Sequence, residues 1–214
     1  MSLKDFENEY WSKRNQQIVF RHKAALSLIE KGPVLDLGCG DGLFLEILKS
    51  KDIGGVGLDI SKVAVEKARA KRLDVRKFDF ADNKLPFEDN SFETVVLLDI
   101  LEHLYQPEKL LREAHRVTKR NLVLCVPNFN SLPARLQMLM GKTPENNKPR
   151  QGHVYWISHS VIKDLLERNN FEIEDIEVNS FFSWVPGLKS IMQFLARTRP
   201  AIFALNFAIK ARKI

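Results

Sequence analysis

The residues best suited to chemistry are three aspartates and a glycine turn. The stretch "VLDLGCGDG" (Val34 to Gly42) sets Asp36 two residues ahead of Gly38, Gly40 and Gly42. Asp59 ends "GVGLD", and Asp79 lies in "FDFAD". Glycine has no Cβ, so a ligand can approach the backbone closely. Free N–H groups at the start of the following helix favour a negative group. Two common ligands are nevertheless excluded. A dinucleotide fingerprint reads G-x-G-x-x-G/A, whereas here the sixth position is Leu43. A P-loop needs a Lys-Ser/Thr pair, which is missing. A carboxylate at the mouth repels phosphate, so Asp36 points to a ligand with positive charge and no phosphate. A carboxylate about 20 residues past such a turn typically accepts hydrogen bonds from a ribose diol, which is the role expected of Asp59. Asp79 suits an adenine amino group. Plainer roles stay open: Asp36 can cap the turn, Asp59 can cap the helix after its strand, and Cys39 reads as a small residue in a tight turn.

These residues need elements to position them. "PVLDLG", "IGGVGLDI", "LDVRKFDF", "ETVVLLDI" and "NLVLCVPN" read as buried strands. "GLFLEILKSK", "KVAVEKARAKR" and "PEKLLREAHRV" read as the helices between them, the second capped by Ser61 and the third opened by Pro107. Alternating strands and helices imply βαβ units and a parallel sheet covered on both faces. From Asn128 to Gly152 the rhythm breaks into a long segment with three prolines, in which "LPARLQMLM" suits a short helix. "SHSVIKDLLERNN" resumes as a helix and "FEIEDIEV" as a strand. "GLKSIMQFLAR" carries Leu188, Ile191, Met192 and Leu195 on one stripe, and "IFALNFAIKARK" is expected to be a final strand.

S-adenosylmethionine has a sulfonium, an ammonium, one carboxylate and no phosphate, which fits the acids. The segments "VLDLGCGDG", "GVGLDIS", "FDFADNKLPFEDNSFETVVLLDILEHL" and "LVLCVPN" resemble, in order and spacing, the motifs of class I S-adenosylmethionine-dependent methyltransferases. The resemblance covers roughly Gly32 to Val178. It implies a Rossmann-like three-layer α/β sandwich with a seven-stranded, mostly parallel sheet whose last strand is antiparallel. It also implies cofactor contacts from Asp36, Gly38, Cys39, Gly40, Asp59, Ile60, Asp79, Phe80, Leu98 and Asp99, the last two through backbone. "LEHL" after strand four is similar to small-molecule methyltransferases, including quinone O-methyltransferases. The Asn/Asp-Pro-Pro-aromatic motif of base-amino methylation and the Pro-Cys of cytosine C5 enzymes are both missing there. The stretch from Pro127 to Ser158 is similar to methyltransferase-like proteins linked to methionine biosynthesis, some of which act beside a partner enzyme. Two classes follow: an enzyme that methylates a small-molecule acceptor, expected at oxygen, and a cofactor-binding partner protein with little catalysis of its own.

Methyl transfer from a sulfonium is an in-line displacement, so positioning supplies much of the rate. A hydroxyl nucleophile also benefits from a base near neutrality, for which histidine is the natural choice. His103, in "LEHL", and His153, just past the irregular segment, are the candidates. Tyr155 and Trp156 are expected to wall the site beside His153. His22, His115 and His159 fall on helices where structural roles are expected.

One domain of 214 residues is expected, with residues 1–31 as a helical cover bearing Tyr10 and Trp11, 128–157 as an insertion shaping the acceptor site, and 179–214 as a basic helix and last strand. Cys39 and Cys125 form no metal spacing or disulfide framework, so no metal is expected and the compartment reads as cytoplasmic. No export signal is read at the N-terminus, and no apolar run nears the ~20 residues of a membrane span. The net charge is +6, and six basic residues follow Glu177 with no acid among them. That tail suits peripheral contact with a membrane or lipid. Nucleic acid is not expected as a partner.

Overall fold

The computed structural model describes residues 3–13, 15–80, 84–144, 152–181 and 187–214. Seven strands form one sheet: β1 (Val34–Leu37), β2 (Gly55–Asp59), β3 (Val75–Lys77), β4 (Phe92–Leu98), β5 (Thr118–Pro127), β6 (Phe171–Ser180) and β7 (Ala204–Lys213). Their order is β3-β2-β1-β4-β5-β7-β6. β1 to β5 pair in parallel, and β7 lies antiparallel between β5 and β6. The chain winds outward from β1 in one direction through β2 and β3, then crosses to β4 and β5 on the other side. Ligands of open α/β sheets bind at such a switch point, beyond the carboxyl ends of the strands.

The centre of the sheet is buried on both faces because β1 and the middles of β4 and β5 are largely apolar, whereas the edge strands β3 and β6 expose charged residues. Leu35, Leu37, Val95, Leu97, Leu122 and Leu124 face one layer, packing with α5 (Pro107–Val117) and α7 (His159–Arg168). The alternate residues Val34, Val96 and Val123 face the other layer with α2 (Phe20–Leu28), α3 (Leu43–Lys49) and α4 (Lys62–Ala70). The period of two follows from the pleat. Each fully buried leucine stabilises the fold by roughly 2 kcal/mol. Ser61 caps α4 by accepting from the Ala64 N–H at 3.3 Å, and Ser158 caps α7 through the Val161 N–H. α1 (Leu3–Lys13) lies over the sheet end, and α6 (Leu132–Leu139) sits in the irregular segment.

Four readings change. β3 covers only Val75–Lys77, so Asp79 lies two residues beyond it. The final strand starts at Ala204, after a short helix α9 (Pro200–Phe203). The apolar stripe of α8 (Lys189–Thr198) is not buried: only Ala196 is, while Ile191 and Phe194 are exposed. The tail is also not an unbalanced basic patch. Lys210 pairs with Glu30 and Glu174, Arg212 with Glu172 and Glu174, and Arg197 with Glu177. Register brings Glu172 opposite Arg212, so the sheet supplies the tail's counterions. Residues 145–151 of the expected insertion and 182–186 of the expected lipid-contact segment lie outside the described residues. Among the described residues no helix is long and apolar enough to cross a membrane.

Candidate active site

A cavity of about 830 Å³ opens at the carboxyl ends of the central strands. Gly38, Asp59, Ile60, Leu98 and Asp99 line it from the ends of β1, β2 and β4, with Asp79 and Phe80 from the loop after β3. Phe6, Glu7, Tyr10 and Trp11 of α1 line it from above. His103 and His153 line it together, their rings 4.9 Å apart. Three expected cofactor residues do not reach its surface. Cys39 is buried, its sulfur against Gly57, where a Cβ would meet it at 2.6 Å. Gly40 is covered: a Cβ there would lie 2.5 Å from the Trp11 ring and 2.7 Å from Gln16 Nε2, at a φ of +56° that favours glycine. Asp36 is 1% exposed and sits beneath the lining.

The N-terminal segment is fastened onto the site. Lys67 Nζ donates to the Trp11 carbonyl at 2.7 Å and to Asn15 Oδ1 at 2.9 Å. Ser61 Oγ donates to Asn8 Oδ1, and the Gln16 N–H donates to Asp41 Oδ2. These bonds tie the cover to α4 and to the glycine turn.

Charge is the site's main chemical property. Glu7, Glu9, Asp59, Asp79, Asp99 and Glu102 line the cavity against Lys13 and Arg21. Burial raises the Asp36 carboxyl to about 8, with the charge of Asp59 adding to the shift. Burial raises Glu7 to about 7, again with Asp59 adding. Asp59 rises to about 6 through burial, although it accepts the Gly40 and Ser61 N–H groups at 2.8 Å each. Arg21 Nη1 donates to Asp99 Oδ2 at 2.9 Å. Asp99 holds a φ of +55°, a strained conformation of the kind that gathers at working sites. Asp36 Oδ1 and Asp99 Oδ1 are buried and have no hydrogen-bond partner among the described residues.

The other pole is built from the 3₁₀ turn η1 (Leu101–His103). The Glu102 carbonyl accepts the Val154 and Tyr155 N–H groups at 2.8 and 3.0 Å, which brings His153 beside His103. His103 Nδ1 donates to the Gly152 carbonyl at 3.2 Å. Burial, followed by the proximity of His153, lowers His103 to about 4. Tyr155 packs against the core and Trp156 is exposed, so neither walls the cavity; the Phe129 ring meets His153 edge-on instead. His22 is buried with its Nδ1 accepting the Val19 N–H, a structural role. Sequence reasoning missed Arg21 and Glu7, which only the fold brings to the cavity, although the Glu102-His103 pair of "LEHL" is legible at its border.

Sheet order and antiparallel β7 are those of the class I S-adenosylmethionine-dependent methyltransferase fold. Within that class, the chain belongs to the family of methionine biosynthesis protein MetW, whose model it matches over residues 21–179. It is 30% identical over 174 residues to a probable S-adenosylmethionine-dependent methyltransferase of Mycolicibacterium smegmatis, spanning 79% of this chain and 62% of that protein. A Pseudomonas aeruginosa ubiquinone biosynthesis O-methyltransferase is 29% identical over 47% of this chain and 45% of its own length. The chain thus spans less than two thirds of these relatives. Two solved structures share the fold. A methyltransferase from Thermotoga maritima has a TM-score of 0.68 and 19% identity, covering 91% of this chain and 88% of that one. Magnesium protoporphyrin IX methyltransferase from Synechocystis, with bound S-adenosylhomocysteine, has a TM-score of 0.67 and 18% identity, covering 99% and 98%.

Proposed function

We propose that the chain binds S-adenosylmethionine in this cavity and transfers its methyl group to a small-molecule acceptor, at oxygen. The observation that carries the reading is a cavity whose carboxyls outnumber its cations, with Glu7, Asp59, Asp99 and Glu102 in its wall and Asp36 beneath pushed up by burial, so that a cationic ligand relieves them. The volume is within the range of small-molecule sites. When bound, S-adenosylmethionine supplies a methyl activated by positive sulfur. Each Asp59 oxygen accepts one backbone N–H and keeps a lone pair for a ribose hydroxyl. Phe80 and Ile60 offer apolar surface to an adenine, and Asp79 an acceptor for its amino group. Arg21 suits the carboxylate of the methionine part. Asp36 adds negative potential from beneath. His103 and His153 stand at the acceptor pole, and with Nδ1 held by Gly152, His103 has Nε2 left to accept a hydrogen bond from an acceptor hydroxyl and orient it.

Titration calorimetry with S-adenosylmethionine and S-adenosylhomocysteine tests the binding, and Asp59→Ala is expected to weaken both by ten-fold or more. Absence of heat and of any thermal shift with either ligand refutes the reading. Incubating a metabolite pool with labelled methyl donor identifies the acceptor. The family description and the exposed apolar side chains Leu136, Met138, Leu139 and Met140 on and after α6 support a second reading, a cofactor-binding protein that acts beside a partner. In that case the chain alone leaves every acceptor in the pool unlabelled.

A further inference from the structure

We infer that Glu102, His103 and His153 form a binding site for one divalent first-row transition-metal ion at the acceptor pole of the cavity. Each offers one ligand atom, and the three atoms lie within 4.8 Å of one another. A second, independent feature points the same way. Glu102 is 1% exposed and lines the cavity, yet its Oε2 has no hydrogen-bond partner among the described residues. A buried carboxylate oxygen left without a donor costs free energy that a cation would offset.

The surroundings are those of a metal ligand set. His103 Nδ1 can only donate to the Gly152 carbonyl, which fixes the tautomer and leaves Nε2 as the ring's lone-pair atom. The Val154 and Tyr155 N–H groups on the Glu102 carbonyl hold the second histidine in place from a segment 50 residues away. Phe129 packs edge-on to the His153 ring. Two imidazoles argue against calcium and magnesium, which prefer oxygen ligands. With one carboxylate and no thiolate, the set suits zinc, iron, cobalt or manganese. Three protein ligands leave positions open toward the cavity, as in sites that take a further ligand. The ligand class is therefore an oxygen donor such as a phenolate, a vicinal diol or a carboxylate. The inference goes beyond methyl transfer and stands on its own. In the loaded protein both rings are ligands, and an acceptor oxygen is held by the ion.

The test uses the full chain, stripped with chelator and titrated with the metal alone. One equivalent of Co²⁺ is expected to give visible ligand-field bands, and Zn²⁺ to displace it with a heat of binding in calorimetry. Glu102→Gln and His153→Gln are each expected to weaken Zn²⁺ binding by ten-fold or more and to abolish the bands, with far-UV circular dichroism unchanged. If Glu102→Gln does not fold, the half-buried His153 carries the test. Absence of stoichiometric metal binding overturns the inference, as does one equivalent bound equally by both variants, which assigns the ion to other histidines. Neither readout depends on methyl transfer, so the two proposals fail separately.

Discussion

Asp36→Asn is expected to stabilise the free protein and to weaken its binding of S-adenosylmethionine. Burial raises the carboxyl from 3.8 to about 8. At pH 7 the unfolded chain carries this group ionised, and the folded chain carries it protonated. The cost to the fold is about 1.4 kcal/mol per pH unit from 3.8 upward, or about 4 kcal/mol at pH 7. A raised carboxyl binds its proton more tightly in the folded state, so the cost is absent at low pH and grows until about pH 8. Asparagine escapes it but brings two N–H donors, and leaving buried donors unpaired costs about 1–3 kcal/mol. The variant should therefore gain about 1–3 kcal/mol at pH 7, a rise of several degrees in melting temperature for a chain of this size. At pH 4 the gain should be gone. Ligand binding should move the other way. A sulfonium favours ionised Asp36, so the wild type must release about 0.9 proton from it on binding at pH 7, and its affinity should rise about ten-fold between pH 7 and pH 9. Calorimetry in two buffers of different ionisation heat counts the protons. An Asp36→Asn variant with wild-type affinity and wild-type proton release would refute the reasoning.

Two further substitutions probe the frame around the site. Gly40→Ala drives a Cβ into the Trp11 ring and Gln16 at a left-handed φ, so a loss of about 2–4 kcal/mol is expected. Red-shifted emission from Trp11 and faster tryptic cleavage of the first helix would report it, whereas unchanged stability would show that the cover yields freely. Arg116 donates to the Leu85 and Phe87 carbonyls and to Glu113 and Asp89, holding the loop between β3 and β4. Arg116→Ala should cost about 2–3 kcal/mol in urea denaturation, and lysine should not restore it because it lacks the planar fork.

The sheet and the strand-end wall of the cavity are legible in the sequence because each βα unit encodes its part locally. A strand, a turn and an acid lie within a few residues of one another, so the spacing of Asp36, Gly38 and Asp59 carries the geometry. The apolar strands likewise announced a sheet covered on both faces. Where partners are distant in sequence, the reading failed. The basic tail looked unbalanced because Glu30, Glu172 and Glu174 precede it, and only the antiparallel register of β6 and β7 sets them against Lys210 and Arg212. The α8 stripe has helical period but is covered only in part: Met192 and Leu195 are half-buried, while Leu188 and Ile191 stay exposed. "LEHL" puts the Glu102-His103 pair at the border of the site, yet nothing local says that η1 buries that carboxylate with one oxygen lacking a hydrogen-bond partner among the described residues. The proposed metal set shows no local spacing because its third member, His153, comes from the far side of an irregular segment.

The placement of acids argues for function more strongly than the motif does. A chain of net charge +6 has basic residues to spare, yet it gathers six carboxyls around one cavity and buries a seventh beneath it. Folding alone disfavours this: Asp36, Asp59 and Glu7 are all raised by burial, and two of them are raised further by the charge of the third. A purely structural acid is matched by its neighbours, as Glu113 is by Arg116. Several acids at the cavity are matched only in part: Arg21 meets one oxygen of Asp99, and Asp36 Oδ1, Asp99 Oδ1 and Glu102 Oε2 are buried with no hydrogen-bond partner among the described residues. Their remaining demand is for positive charge from outside the chain. On the two proposals, a sulfonium would answer it at the strand ends and a metal ion would answer it at Glu102.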